Sequence, residues 1–158
     1  MDKKIRASVP AKVILFGEHF VVYGKRALAA AINRRLAVEV SSREKRGYHV
    51  KIENIPTFGL EFDLEARKGR DRKVLPYKDY SAASKALAYV KGSVEYLEER
   101  YGIGDEGVEI DIKSEIPLSA GLGSSAATCV ATIAALKEYF GVKGDVERIR
   151  TDAHSVEK

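Results

Sequence analysis

The stretch EIPLSAGLGSSAAT, from Glu115 to Thr128, combines two glycines and three serines with other small residues. It follows GVEIDIKS (107–114), whose alternation of apolar and polar residues is typical of a half-buried strand. It leads into SSAATCVATIAALKEYF (124–140), which is apolar on nearly every side and predicts a buried helix. A bare loop thus joins a strand to the start of a helix, and this junction decides the predicted fold.

This loop has the chemistry of a phosphate-binding turn. Gly121 and Gly123 permit backbone conformations that other residues avoid, and they let a ligand approach closely. Ser124 and Ser125 stand where the free N–H groups and the positive end of the helix dipole favour an anion. Their hydroxyls can bind phosphate oxygens or a metal. A tight turn before a closely packed helix, with no ligand, explains the same residues and stays open at this point.

The spacing argues against two common phosphate-binding motifs. A P-loop requires the pattern GxxxxGK[ST], and its lysine is absent here. The glycines and Ala126 fit the GxGxxA pattern of dinucleotide-binding proteins. However, residues 114–120 separate the strand from the first glycine, and no second strand ending in an acidic residue follows.

Length and composition indicate one globular domain. The chain has 158 residues, of which 45% are hydrophobic and 32% charged, with a formal net charge of +4. This charge is compatible with an anionic small molecule and does not demand nucleic acid. The single cysteine, Cys129, cannot form an internal disulfide and is expected to be a small buried hydrophobe. No run reaches the roughly 18 apolar residues of a membrane span, and the start lacks a signal-peptide core, so we expect a cytoplasmic protein.

Alternation and turn signals predict several strands before residue 80. FGLEFDL (58–64) is compatible with a strand inside the otherwise unassigned stretch 55–79, whose charged part, 65–76, is expected to be a loop. The other predictions here are strands at 3–9 and 11–16 separated by Pro10, a loop at 17–26, an ambiguous stretch at 27–32, and a hairpin of 35–42 with 48–54.

Two further helices are predicted in the second half. Residues 81–101 have apolar positions three and four apart, and Gly102 is a suitable stop. Asp145 can cap a last helix that carries Val146, Ile149, Ala153 and Val156 inward, with His154 at the boundary. At 100° per residue, Glu157 falls about 20° from Val146 on this inward face. A carboxylate there must pair or bind a metal, unless the helix end frays and leaves Glu157 in solvent.

The complete motifs resemble those of the GHMP kinases. PLSAGLGSSAA (117–127) is similar to the second signature motif of this family, and PAKVILFGEHFVVYG (10–24) is similar to the first motif of its mevalonate kinase branch. The terminal AHSVEK (153–158) agrees with that branch. The resemblance implies an α+β fold, with residues 1–158 forming the ribosomal S5 domain 2-like N-terminal domain of a GHMP kinase. It implies ATP-dependent phosphorylation of the primary hydroxyl of mevalonate, with Mg²⁺ as cofactor.

The resemblance also implies roles for individual residues. Lys12 would contact the substrate and the transferring phosphoryl group, and Glu18 and His19 would shape the substrate pocket. Ser125 and Glu157 would bind Mg²⁺. For Lys12 the alternative is a solvated lysine, for Glu18 and His19 a pair that only holds the turn, and for Ser114 an ordinary hydroxyl at a strand end. The implied ATP-binding residues are Ser114, Pro117, Leu118, Ser119, Ala120, Gly121, Leu122, Gly123, Ser124, Ser125 and Ala126.

Part of the family pattern does not occur in this chain. The family's catalytic aspartate and its glycine-rich third motif would follow Lys158. We therefore expect the general base and a C-terminal domain to lie outside these residues, and residues 1–158 alone to turn over poorly. The expected partners are mevalonate, ATP and that C-terminal half, without nucleic acid or membrane, and a homodimer stays open.

Three alternatives remain at this stage. The first is another GHMP enzyme, such as phosphomevalonate kinase or galactokinase. The second is a nucleotide-binding module without catalysis. The third is a basic RNA-binding domain of the same fold, to which the cluster at 67–73 would contribute. It would show a steep dependence of affinity on salt.

Overall fold

In a computed structural model, five strands and four helices are formed by the residues that the structure describes. These residues are 3–55, 58–64, 81–104, 106–117 and 120–158, with the backbone alone for 54–55, 58–64 and 81–84. None of the helices in these ranges is both long and apolar enough to cross a bilayer. The elements are β1 (Lys4–Phe16), α1 (Glu18–Val21), β2 (Leu28–Arg43), β3 (Gly47–Ile55), β4 (Phe58–Leu64), α2 (Ser81–Tyr101), β5 (Gly107–Ser114), α3 (Ser124–Tyr139) and α4 (Val146–Glu157).

The strands form one mixed sheet in the order β1-β2-β5-β3-β4. β5 pairs antiparallel with β2 on one side and parallel with β3 on the other. The predicted hairpin of 35–42 with 48–54 is therefore wrong, although both segments are strands. β2 and β3 follow each other along the chain, but β5 lies between them in the sheet.

Glycine is required where β5 begins between those two strands. The chain passes from β2 to β3 through only three residues, 44–46, beside the first residue of β5. A Cβ at Gly107 would lie 2.1 Å from the carbonyl oxygen of Arg43 and 2.3 Å from that of Lys45. Because no side chain fits at this distance, β5 can lie between β2 and β3 only with glycine at position 107.

One face of the sheet carries the hydrophobic core. Alternate side chains of the central strands are buried there, as in the ladder partners Val38 with Ile112 and Val40 with Ile110. α3 contacts β1 and β2, and its small buried residues allow close packing. The predicted buried helix is thus confirmed, and it ends one residue earlier than expected.

β1 and β2 are more continuous than predicted. β1 runs through Pro10 as one strand of 13 residues, so the predicted break there is wrong. The pairing register shifts between Pro10 and Ala11 instead, and residues 33–34 of β2 bulge out of the ladder. The ambiguous stretch 27–32 belongs almost entirely to β2, which starts at Leu28.

The predictions of β4, β5 and α2 are confirmed, and their bounds are those predicted. Gly102 follows α2 with a φ of 66°, as expected for a glycine that ends a helix. The charged stretch 65–76, predicted as a loop, lies outside the described residues, as does the cluster at 67–73.

α4 begins as predicted, but part of its buried face is wrong. Asp145 caps the helix by accepting a hydrogen bond from the N–H of Arg148 at 2.8 Å. Val146, predicted to point inward, is 82% exposed. Glu157 is also exposed, and because α4 includes it, the helix end is not frayed either.

The error in α4 is one of phase. Ile149, Ala153 and Val156 do pack against the core. At 100° per residue, the face that these three residues share is centred about 50° from Val146, which is exposed and does not pack with them. Asp152, at 0% exposure, belongs to the true buried face, and Glu157 does not.

Candidate functional site

The N-terminus of α3 is available to a ligand. Gly123 precedes the helix in the left-handed conformation, with a φ of 76°, and provides no side-chain cap. The first turn contains no acidic residue, and Ser124 and Ser125 are half-buried there. The first N–H groups of a helix have no partner within the helix. This end of α3 therefore has the features that favour an anion.

Lys12 of β1 lies against the same loop. Its backbone N–H donates to the carbonyl oxygen of Leu122 at 3.0 Å. Its side chain crosses Gly123, where an added Cβ would lie 3.0 Å from Lys12 Cγ and 3.2 Å from Lys12 Cε. The Lys12 side chain is exposed, and within the described part of the chain no carboxylate pairs with it. The fold thus brings the lysine of the first motif to the glycine loop of the second.

The rest of the loop is open on the solvent side. Gly121 has a φ of 70°, and apart from its chain neighbours no atom of the described residues lies within 4 Å of the position that a Cβ would take. Pro117 and Ala120 are exposed as well. Leu118 and Ser119, predicted to bind ATP, lie outside the described residues. The described backbone therefore has space beside Gly121 for a ligand.

Ser114 has a local role at the end of β5. Its Oγ accepts a hydrogen bond from the N–H of Ile116 at 3.1 Å and donates to the Ile116 carbonyl oxygen at 3.2 Å. Next to it, the N–H of Glu115 donates to the carbonyl oxygen of Arg35 at 2.8 Å and so attaches the loop to β2. These contacts support the simpler interpretation of Ser114 as a strand-end hydroxyl.

Glu18 and His19 lie on α1, a single helical turn inside the segment predicted to be a loop, so that prediction is corrected here. Gly17 sets the turn with a φ of 85°, and a Cβ there would lie 2.7 Å from the carbonyl oxygen of Arg26. Both side chains are exposed, and neither forms a hydrogen bond or ion pair with another described residue. They follow Lys12 by six and seven residues along the chain, directly after β1.

The charge of Glu157, at the end of α4, acts on Cys129, a buried residue of α3. Cys129 lies one helical turn after Ser125 on α3 and is fully buried, as expected from the sequence. Burial raises the pKa of the Cys129 thiol to about 12, and the negative charge of Glu157 acts in the same direction. α4, which ends at Glu157, also packs against α3.

Ser125 and Glu157 suit a magnesium ion better than a metal whose ligands are all protein side chains. Among the described residues there is no group of three or more His, Cys, Asp or Glu side chains that could hold a metal ion. Ser125 offers a hydroxyl in the first turn of α3, and Glu157 offers an exposed carboxylate at the end of α4. Mg²⁺ typically takes one or two protein carboxylates and fills its other positions with water and phosphate oxygens.

The sequence did not reveal a buried polar cluster behind the site, here called the Asp152 cluster. The Asp152 carboxylate accepts hydrogen bonds from Lys137 Nζ at 2.7 Å, Tyr101 Oη at 2.8 Å and Tyr96 Oη at 3.0 Å. Arg148 Nε lies 3.3 Å from the same carboxylate and donates to Tyr101 Oη. The sequence did contain a signal for the burial of Asp152, because this residue falls about 60° from the inward-facing Ile149 on the helical wheel.

A second feature, here called the apolar patch, follows Lys12 along the chain. Seven of the eight large hydrophobic side chains that are exposed in the described residues fall within one stretch, 15–28. Val22 and Tyr23 are 76% and 79% exposed, and Phe16 pairs with Leu28 across the ladder. Monomeric proteins rarely expose so concentrated an apolar surface. The patch consists of Leu15, Phe16, Phe20, Val21, Val22, Tyr23 and Leu28.

Comparisons with known proteins agree with this architecture. The family description "GHMP kinases N terminal domain" matches residues 88–158. The mevalonate kinase of Thermococcus gammatolerans is 39% identical over 154 residues, which cover 98% of this chain and 45% of that protein. The chain thus spans less than half the length of this relative.

Solved structures show the same fold. The Methanococcus jannaschii mevalonate kinase has a TM-score of 0.72 at 28% identity, over 99% of this chain and 46% of that one. The galactokinase of Lactococcus lactis, solved with galactose, has a TM-score of 0.72 at 26% identity, over 98% of this chain and 37% of that one. The predicted fold class, an α+β ribosomal S5-like N-terminal domain, is confirmed. Residues 88–158 match the N-terminal domain of GHMP kinases, and nearly the whole chain is similar to part of proteins named mevalonate kinase.

Proposed function

We propose that this chain forms the ATP-binding part of a kinase that phosphorylates the primary hydroxyl of mevalonate to give 5-phosphomevalonate. The observation that carries the proposal is the contact between the Lys12 side chain and Gly123 at the open N-terminus of α3. Mevalonate is the acceptor because the relatives most similar over the whole chain are named mevalonate kinases. ATP is the donor because the loop supplies the anion site that its phosphates need.

Lys12 is the proposed catalytic residue of this chain. Phosphoryl transfer proceeds largely through positioning and through neutralisation of charge on the transferred group. A lysine ammonium is a compact, mobile cation that can follow this charge from the γ-phosphoryl group to the attacking oxygen. Its placement beside the loop also favours the ionised form of the substrate hydroxyl.

The loop and α3 hold the nucleotide in this proposal. The N–H groups from Gly121 to Ser125 bind phosphate oxygens, with the hydroxyl of Ser124 adding a contact. Ser125 and Glu157 would hold Mg²⁺, which supplies charge neutralisation on the phosphates when it is bound. Glu18 and His19 would line the mevalonate pocket, since α1 follows directly after the strand that carries Lys12.

The general base is proposed to come from a C-terminal half of the same polypeptide. The relatives are more than twice as long as the matched segment, so they contain a part that this chain does not cover. The apolar patch is the surface against which we propose that this half packs, because its large hydrophobic side chains are exposed and need a cover. A homodimer contact at the patch is the alternative. We propose that the reaction takes place in the cytoplasm, where its substrates are dissolved.

The test is a coupled assay of ADP formation on the complete product of the gene. Mevalonate, phosphomevalonate and galactose are supplied separately with ATP and Mg²⁺. We expect turnover with mevalonate alone, reduced about tenfold or more by Ser125→Ala because a metal and phosphate contact is lost. Ser42→Ala, an exposed serine on β2, is the control and should match the unsubstituted enzyme.

Other outcomes would replace the proposal. Turnover with galactose or phosphomevalonate, and none with mevalonate, would assign the protein to another branch of the family. ATP binding without turnover on any of the three would favour a nucleotide-binding module.

A further inference from the structure

The Asp152 cluster joins three helices through one carboxylate. Tyr96 and Tyr101 come from α2, Lys137 from α3, and Asp152 with Arg148 from α4. Asp152 is 0% exposed and Lys137 is 3% exposed, so this ion pair is removed from water. Groups buried in this way are kept only when each has partners, and here the carboxylate has four.

This cluster is too far from the glycine loop to contact a nucleotide. Lys137 lies twelve residues after Ser125 on α3, which is about 18 Å along the helix axis. Any effect of Asp152 on the site must therefore pass through the helices that the cluster joins, and α4 is the helix that carries Glu157. Asp152 and Glu157 are five residues apart on that helix, about 7.5 Å along its axis.

Hydrogen bonds constrain α4 more closely than apolar packing would. A helix held only by aliphatic contacts can slide or rotate with little loss, but a carboxylate with three directed donors and an ion-pair partner has one favourable position. Towards its end, α4 also approaches α2 closely. The Cγ1 of Val156 lies 3.1 Å from the point that a Cβ on Gly92 would occupy. α4 is thus fixed at two places, just before and next to Glu157.

We propose that the Asp152 cluster is a positioning device, which fixes α4 so that Glu157 faces the first turns of α3, where the metal–nucleotide complex binds. The inference rests on the proposed function, because it uses the metal role assigned there to Glu157. It adds a role for Asp152, Lys137 and Tyr96, which do not touch substrate. Without the cluster, α4 would keep its helical structure but lose the fixed placement of its last carboxylate.

A double-mutant cycle on metal binding tests the proposal without requiring turnover. The complete product of the gene is saturated with a non-hydrolysable ATP analogue, and Mn²⁺ binding is followed by electron paramagnetic resonance. Glu157→Gln should weaken Mn²⁺ binding about tenfold, and Asp152→Asn should weaken it several-fold. If Asp152 acts through Glu157, the double variant should bind Mn²⁺ no more weakly than Glu157→Gln alone.

Two further variants keep the test decisive. Asp152→Asn leaves Lys137 buried without its counter-ion, and if that variant does not fold, Tyr96→Phe takes its place in the cycle. It removes one donor and should weaken Mn²⁺ binding about twofold, again without adding to Glu157→Gln. Glu147→Gln is the matched control, because it removes the exposed pair with Arg150 on the same helix and should change nothing.

Either of two results would overturn the proposal. One is unchanged Mn²⁺ affinity in a folded Asp152→Asn or Tyr96→Phe protein. The other is a loss in the double variant equal to the sum of the single losses in free energy. Both results are independent of the substrate assay, so mevalonate kinase activity could stand while the positioning role fails.

Discussion

At the scale of single residues, the packing of Lys12 depends on the absence of a side chain at Gly123. The glycine has no side chain, so the lysine stem can lie across it, and the lysine fills the space that the glycine leaves. The sequence motifs predicted both residues as parts of one site, but not the contact between them. That contact depends on the pairing of β1 with β2 and on the packing of α3 against both strands.

The residue that sequence reasoning missed is Asp152, and its pKa leads to a testable pH effect. Burial alone would raise the Asp152 pKa, but hydrogen bonds from Lys137, Tyr101 and Tyr96 outweigh this and lower it. A carboxyl group whose pKa is lower in the folded than in the unfolded protein stabilises the fold. This stabilisation is fully present at pH values above the pKa of the unfolded state, which is about 4 for aspartate. This contribution is lost as the pH falls through the folded pKa.

We therefore expect the free energy of unfolding to decrease on acidification below about pH 4, and Asp152→Asn to weaken this dependence. At pH 7 the variant should lose about 3 kcal/mol, because it leaves Lys137 buried without its counter-ion. Urea denaturation at several pH values measures both effects. An unchanged pH profile in the folded variant would contradict the account.

Cys129 should be unreactive in the folded protein. Its thiol is fully buried and its pKa is raised to about 12 by that burial, so almost no thiolate exists at neutral pH. We expect iodoacetamide to modify it only after denaturation, as followed by mass spectrometry. Rapid modification of the native protein, without loss of structure, would show that this part of α3 opens to solvent.

At the scale of elements, the type of each strand and helix was more predictable than its neighbours. Alternation and helical spacing depend on local sequence, so β5, α2 and α3 were placed within a residue of their observed bounds. The position of β5 between β2 and β3 depends on a pairing between segments more than sixty residues apart along the chain, which no local pattern encodes. The phase error in α4 arose similarly, because an exposed valine was counted as part of the buried stripe.

The turn before α3 gives a prediction for this element. Gly123→Ala would place a residue at a φ of 76° and press its Cβ against Lys12, so it should combine backbone strain with displacement of the lysine. We expect a stability loss of about 1–2 kcal/mol and a clear rise in the KM for ATP.

The matched control is Gly141→Ala, which has a φ of 69° but no atom within 4 Å of the added Cβ. It should lose similar stability from backbone strain and keep the KM for ATP. Equal kinetic effects in the two variants, measured by thermal unfolding and steady-state kinetics, would show that contact with Lys12 is unimportant.

At the scale of the whole molecule, the apolar patch is the least expected feature. The sequence placed its residues in a substrate loop and beside a strand, and nothing in their local pattern indicated how many would be exposed together. Exposure of this kind depends on what else covers the surface. The chain covers less than half the length of its relatives, which is consistent with a cover supplied by the remainder.

The 158-residue chain should therefore bind an apolar dye such as ANS, and the complete product of the gene should not. Phe20→Ser with Val22→Ser should reduce dye fluorescence of the short chain severalfold, because both side chains are in the patch. Val146→Ser is the control, since Val146 is equally exposed but lies outside the patch. Equal dye binding by the short chain and the complete product would argue against a covering domain.

The central claim is that Lys12 and the glycine loop form one phosphoryl-transfer centre. Its most direct test is the single-turnover rate of phosphate transfer from ATP to mevalonate in Lys12→Met, with the exposed Lys143→Met as control, in the complete product of the gene. We predict that the rate falls about 100-fold or more in Lys12→Met while ATP binding changes little, because the cation acts mainly on charge in the transition state. A rate within a fewfold of the unsubstituted enzyme would contradict the account.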